Sequence, residues 1–207
     1  MRPLLICDCD EVLLHMVRHF GSWLAEDHAI DLDLANGNFA QSLRRRDGEP
    51  VAPGEIWTYL DGFFPAQMAR QTLVPGALDA LTALARDADI VILTNLADNC
   101  RPHRIEQLAA HGIAHRVECN QGGKGGPVAA LVAEYRAPVT VFVDDLGVHH
   151  DSVARHAPEV HRLHMVAEPV LARAIPAAPA AHARIDDWQE ARAWIADRFA
   201  HGQPASA

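Results

Sequence analysis

Lysine is all but absent from this sequence: 17 of its 18 basic side chains are arginine, and Lys124 is the single lysine. Long apolar runs are missing too. Nothing approaches the roughly 20 residues that a membrane span needs, and the opening Met1 to Ile6 meets Asp8 before a signal-peptide core can form. The expectation is a cytoplasmic protein. Cysteine is scarce, with Cys7, Cys9, Cys100 and Cys119 in no CxxC pair and no zinc spacing, which speaks against a disulfide framework and for reduced thiols. No acidic block stands out, and the net charge of -9 argues against a surface for nucleic acid or an anionic membrane, either of which would want a basic patch. Small-molecule chemistry is what these absences leave.

The composition, 49% hydrophobic and 22% charged over 207 residues, suits one α/β core with a small accessory domain. Three short apolar runs read as buried parallel strands: Leu4 to Cys7, Ile90 to Leu93 and Val139 to Val143. A fourth, His161 to Val166, and a weaker fifth, His182 to Ile185, extend the same sheet. Helical patterns fall between them: Ala77 to Arg86 after Pro75-Gly76, Pro102 to His111 ending at Gly112, Gly126 to Tyr135, and Asp187 to Phe199. From about residue 75 strand and helix alternate, which predicts a doubly wound parallel sheet with its site at the carboxyl ends of the strands.

The stretch from Leu14 to Leu73 breaks that rhythm. It holds a helical pattern from His15 to Asp27, turns at Asn36 to Asn38 and at Asp47 to Pro50, and the aromatics Trp57, Tyr59, Phe63 and Phe64. It reads as a small, mainly helical cap inserted after the first strand, so that residues 1–13 and 74–200 form the core and 14–73 the cap. A Pro/Ala-rich connection covers Ile175 to Ala180, and residues 201–207 are expected to fray.

The chemistry-bearing residues gather at predicted strand ends. Asp8 and Asp10 follow the first strand two residues apart, a spacing that lets both carboxylates face one ligand, and a divalent cation is the usual means of offsetting their repulsion. Thr94 and Asn95 end the second strand, Asp144 and Asp145 the third. Lys124 sits among Gly122, Gly123, Gly125 and Gly126. In so arginine-rich a chain, a lone lysine in a glycine loop points to a need for a compact ammonium. The thirteen histidines, notably His149-His150 with His161 and His164, lack a supporting ligand spacing and read as solvated or hydrogen-bonded.

This ordered set, Asp-x-Asp, Thr, Lys, Asp-Asp, resembles the four motifs of the haloacid dehalogenase-like (HAD) superfamily and spans the core from Pro3 to about Asp151. The resemblance implies a phosphohydrolase with Asp8 as nucleophile and Asp10 as proton donor and acceptor. Thr94, the backbone N–H of Asn95 and Lys124 would hold the phosphate. Magnesium would lie on Asp8, the Asp10 carbonyl and Asp145, with Asp144 acting through water or orienting Lys124. Such families often have glycine where Glu11 stands, so Glu11 is either structural or a further carboxylate near the metal. In the cap, a guanidinium of the Arg44 to Arg46 run, Arg45 in particular, is a candidate grip on a second acidic group of the substrate, while Trp57, Tyr59 and Phe63 suit a pocket wall or, more simply, the cap core.

Competing readings are separable. A dehalogenase needs no acid at position 10, and a phosphonatase needs a cap lysine for its Schiff base, of which 14–73 has none. Receiver domains place the same residue types in another chain order. A phosphomutase shares every core residue and differs in whether water reaches the aspartyl-phosphate; a non-catalytic phosphate-binding module would not need the full set of acids. The expected partner is a small phosphorylated metabolite, whose identity the residues do not specify, and the chain suits a monomer or a homodimer.

Overall fold

The computed structural model describes residues 1–34 and 39–205; the turn expected at Asn36 to Asn38 and the last two residues of the tail lie outside these. In chain order the elements are β1 (Leu4–Cys7), β2 (Leu14–His15), α1 (Val17–Trp23), a π-helical turn (Leu24–His28), β3 (Ile30–Leu32), β4 (Leu43–Arg45), α2 (Glu55–Gln67) and β5 (Thr72–Leu73). There follow α3 (Ala77–Leu84), β6 (Asp89–Thr94), α4 (Arg101–Ala110), β7 (Arg116–Cys119), α5 (Gly125–Tyr135) and β8 (Thr140–Asp144). The chain ends with α6 (Gly147–His156), β9 (His161–His164), α7 (Pro169–Ala174), β10 (Ala183–Arg184) and α8 (Trp188–His201).

Six strands form one parallel sheet in the order β10-β9-β8-β1-β6-β7. Its middle strands are buried on both faces, which is why they read as unbroken apolar runs rather than as alternation. Leu5, Cys7, Ile90, Ile92, Val141 and Val143 pack on one side with α3, α4 and α8. Leu4, Ile6, Val91, Leu93 and Phe142 pack on the other with α5 and α6. The doubly wound α/β core expected from the sequence is therefore present. Its edge strand β7 was not anticipated: of Arg116, Val117, Glu118 and Cys119 only Val117 is buried, and one apolar residue makes no visible pattern.

The first strand order change in the sheet lies at β1, where β8 and β6 flank it on either side. The loops after β1, β6 and β8 therefore open at one end of the sheet, the crevice where open α/β folds bind ligands.

Between β2 and β5 the chain builds a second apolar cluster from Phe20, Trp23, Leu24, Ile30, Leu43, Val51, Ile56, Leu60 and Phe63. Its frame is α1, α2 and the antiparallel pair β3–β4. Phe63 is fully buried there, whereas Trp57 is 62% exposed and lines no wall. The chain leaves and returns through one ribbon, because β2 and β5 pair antiparallel with Leu14 opposite Leu73 and His15 opposite Thr72. At the other terminus, where fraying was expected from residue 201, the backbone is tied back: Ala205 N donates to Glu159 O at 2.9 Å and His161 Nε2 to Gln203 O at 2.9 Å. A left-handed Gly202, which ends α8, allows that reversal.

Candidate active site

Asp8 follows β1, and its backbone N–H donates to Val143 O, so the strand ladder fixes where the carboxylate starts. Lys124 meets it from across the crevice. Its ammonium lies 2.6 Å from Asp8 Oδ1 and 2.7 Å from Asp144 Oδ2, with 1% of the residue exposed. Asp144, the last residue of β8, is fully buried and accepts a further bond from Leu146 N at 2.9 Å. Asp144 is thus the residue that orients Lys124.

Two glycines make this placement of Lys124 possible. Gly122 has φ +87, which a side chain would resist. At Gly125, the first residue of α5, a Cβ would stand 2.2 Å from the Ser152 carbonyl oxygen, so α5 and α6 could not approach as they do with any larger residue.

Asp145 completes an acidic group with Asp8 and Asp144, one carboxylate oxygen of each lying within 4.8 Å of the others. The electrostatics reflect three acids facing one cation. Burial, with Asp144, Asp8 and Glu11 adding to it, pushes Asp145 well above the usual carboxylate range. Burial likewise raises Asp8 to about 7, with Lys124 opposing and Asp144 and Asp10 adding. For Asp144 burial also acts upward, but Lys124, His149 and His150 outweigh it and hold the group below its ordinary value. These are hard oxygen donors with charge to spare, the set that a magnesium ion fits.

Asp10 looks elsewhere. Both its oxygens accept from Nη2 of Arg104 on α4, at 3.0 and 2.9 Å, and Gln71 Nε2 donates to Oδ1 at 2.7 Å. The Thr94 hydroxyl stands 3.5 Å from Oδ2. Arg104 is fully buried, and its Nη1 donates to Cys9 Sγ, Gln71 Oε1 and Gln107 Oε1. Sequence reasoning missed Arg104 because an arginine on a polar helix reads as solvated. A buried pair stripped of one partner leaves an uncompensated charge, so Arg104→Ala is expected to lower unfolding free energy by about 3 to 5 kcal/mol. Chemical denaturation checks it, and a loss below about 1 kcal/mol would mean that Asp10 finds solvent or another partner.

The remaining expected residues are distributed as follows. Asn95, exposed beside buried Thr94, donates through Nδ2 to Gly122 O at 3.0 Å and accepts from Asn120 Nδ2 at 3.0 Å, tying the loop after β6 to the glycine loop of Lys124. His149 Nε2 lies 3.4 Å from Asn95 Nδ2. His150 Nε2 and His164 Nε2 bond to the backbone carbonyls of Asp144 and Asp145 at 3.0 and 2.8 Å, so these histidines hold backbone rather than a metal. Arg45 stands apart: its guanidinium pairs with Glu55 of α2 at 3.0 Å, both about half exposed, while Arg44 and Arg46 bond to carbonyls of their own segment. The Arg44 to Arg46 run is therefore engaged within residues 14–73 and has no bond to the acidic group.

Glu11 has a non-glycine φ of +60, in the region where glycine is at ease, a strain that calls for compensation. The compensation is visible: Glu11 Oε1 accepts from Met16 N at 2.8 Å and Val17 N at 2.6 Å, capping the start of α1. Burial raises its carboxyl to about 7.

No protein-family model matches this sequence, and neither does any curated protein. Solved structures do. A haloacid dehalogenase-like family hydrolase of Streptococcus pneumoniae is similar over 93% of this chain and 97% of that one, at 10% identity and a TM-score of 0.63. A HAD-superfamily hydrolase of subfamily IA from Geobacter sulfurreducens covers 94% and 96% at 18% identity and a TM-score of 0.57. The D,D-heptose bisphosphate phosphatase of B. bronchiseptica, complexed with magnesium and phosphate, covers 95% and 99% at 13% identity and a TM-score of 0.55.

Proposed function

We propose that this chain, which has the haloacid dehalogenase-like fold, is a magnesium-dependent phosphohydrolase acting on a small phosphorylated metabolite through an aspartyl-phosphate on Asp8. One observation carries the reading: a buried lysine clamps Asp8 to Asp144 beside Asp145, while a second aspartate, Asp10, waits two residues from the nucleophile. Asp8 would attack phosphorus as the ester P–O bond breaks, and Asp10 would protonate the leaving alkoxide. A water would then displace Asp8 from phosphorus, giving its proton to Asp10 and releasing inorganic phosphate. Lys124 lessens the repulsion between nucleophile and phosphate, and Thr94 with the Asn95 N–H holds phosphate oxygens.

Asp8, Asp145 and the Asp10 carbonyl are the groups that would hold magnesium. When bound, the ion supplies positive charge against phosphate oxygens and the acidic group. In the structure Asp10 is occupied by Arg104 and Gln71, and Gln71 lies next to β5, where the 14–73 segment rejoins the core. Gln71 thus links Asp10 to that segment, which we read as a cap over residues 1–13 and 74–200, while Arg104 holds Asp10 from the core.

The test is turnover of an aryl phosphate with and without magnesium. Activity is expected to vanish with a chelator and to return with Mg²⁺; full activity after exhaustive metal removal would refute the site as drawn.

Stability should follow the same charges. Asp8 and Asp145 have folded values above their unfolded ones, so the folded state keeps protons that the unfolded chain has released, and stability falls as pH rises through about 4 to 7. Asp144, lowered, contributes stability that is lost only at more acid pH, outside that window. The histidines lowered by burial, His150 to about 4 among them, act in the opposite direction over the same range, so the carboxylate contribution is read as a difference: in chelator-treated protein Asp8→Asn is expected to gain melting temperature relative to wild type as pH rises from about 5 to 7.5, by on the order of 5 °C. A difference that shrinks or reverses across that window would contradict the account.

A further inference from the structure

We propose a second metal site, for a zinc-class divalent cation, formed by Glu11, His15 and Glu168 at the hinge between the core and the 14–73 segment. The three side chains come from places that sequence spacing does not connect: the turn after Asp10, strand β2, and the residue preceding α7. All are buried, with 2%, 4% and 6% exposed, and one ligand atom of each lies within 4.8 Å of the others.

Two of these side chains carry a polar atom that wants a partner. Glu11 uses Oε1 to cap α1, yet its Oε2 is buried without any hydrogen bond, and so is His15 Nδ1. A carboxylate oxygen and a ring nitrogen without partners, on two side chains of one buried cluster, each carry the desolvation cost of an unmade bond. A cation held by the cluster would offer such atoms a partner. Glu168 supplies the third ligand. Its Oε2 already accepts from Arg18 Nε at 2.8 Å, which leaves two carboxylates against one guanidinium and room for further positive charge.

The donor chemistry sets the ion. One imidazole with two carboxylates is a borderline set that suits zinc or a neighbouring first-row metal, in contrast to the all-oxygen group at Asp8, Asp144 and Asp145. Such an ion would join the turn after the nucleophile, the first strand of the cap ribbon and a core loop, acting as a clasp across the hinge rather than as a participant in phosphate chemistry.

The experiment reads metal uptake, so it is independent of turnover. Chelator-stripped full-length protein is saturated with Mg²⁺ and titrated with Zn²⁺ against a chromophoric chelator. One equivalent is expected to bind and to raise the melting temperature. His15→Asn and Glu168→Gln, near-isosteric changes, are each expected to weaken Zn²⁺ on the order of 10- to 100-fold, while Asp145→Asn leaves zinc affinity unchanged. Zinc-edge X-ray absorption on the wild type, which depends on no variant folding, should show one imidazole among oxygen ligands. The proposal is overturned by no uptake above saturating Mg²⁺, by uptake that both hinge variants retain, by uptake that Asp145→Asn abolishes, or by a shell without imidazole. Inactivity toward aryl phosphates would sink the phosphohydrolase reading and leave this one standing.

Discussion

Asp8→Asn is expected to lower kcat for an aryl phosphate by at least about a thousand-fold, or about 4 kcal/mol of barrier, without lowering the melting temperature of metal-free protein. The amide keeps the shape of the carboxylate but is a far poorer nucleophile. The stability half follows from the site's charge. Burial lifts Asp8 to about 7, so the ionised form is barely favoured at neutral pH and a neutral side chain costs the fold little. Circular dichroism and a melting curve beside kcat and KM check both halves. Appreciable turnover in a folded Asp8→Asn protein would sink the covalent mechanism.

The second large effect belongs to Lys124. Its ammonium bridges two buried carboxylates, so Lys124→Ala leaves Asp8 and Asp144 facing each other uncompensated, at an expected cost of about 3 to 5 kcal/mol in stability. Lys124→Arg keeps the charge and should still be strongly impaired. A planar guanidinium is larger than the buried ammonium it would replace between two carboxylates, and its donors point differently. Near-wild-type kinetics in both variants would mean that the lysine motif has been assigned to the wrong residue. A low melting temperature combined with normal kcat in the surviving fraction would confine Lys124 to a structural part.

Much of the fold was legible because burial leaves a pattern. Strand β1 is apolar throughout, β6 and β8 are apolar between polar end residues, and α3, α4, α5 and α8 show helical periodicity within a residue or two of their observed bounds. The sheet brings Asp8, Lys124, Asp144 and Asp145 together because each stands at a strand end or at the start of a helix on that side. What stayed hidden is polar and buried through partners distant in sequence. Arg104 and Gln71 are ordinary polar residues until the fold aims both at Asp10. Helix α6, with His149, His150, Asp151 and Ser152 in its middle, is not among the helical patterns seen in the sequence, because its buried side consists of His149, His150 and Ser152 beside Val153. The Arg44 to Arg46 run, conspicuous in sequence, makes its bonds within residues 14–73, to Glu55 and to backbone carbonyls.

Strand β1 precedes the other strands described here and is among the last that can be finished. It lies in the middle of the sheet, with Leu4 opposite both Asp89 of β6 and, next to Val139, Thr140 of β8, so both its edges stay open while more than half of the chain is still to be made. Closure comes later still, when the Trp188 indole N–H of α8 donates to Val12 O at 2.8 Å, just beyond the nucleophile's turn. Pairings this remote carry their loop-closure entropy before any contact repays it, which slows folding and leaves an apolar segment exposed in the meantime. The segment bearing the nucleophile therefore waits for β6 and β8, and its turn for α8, before its contacts are complete.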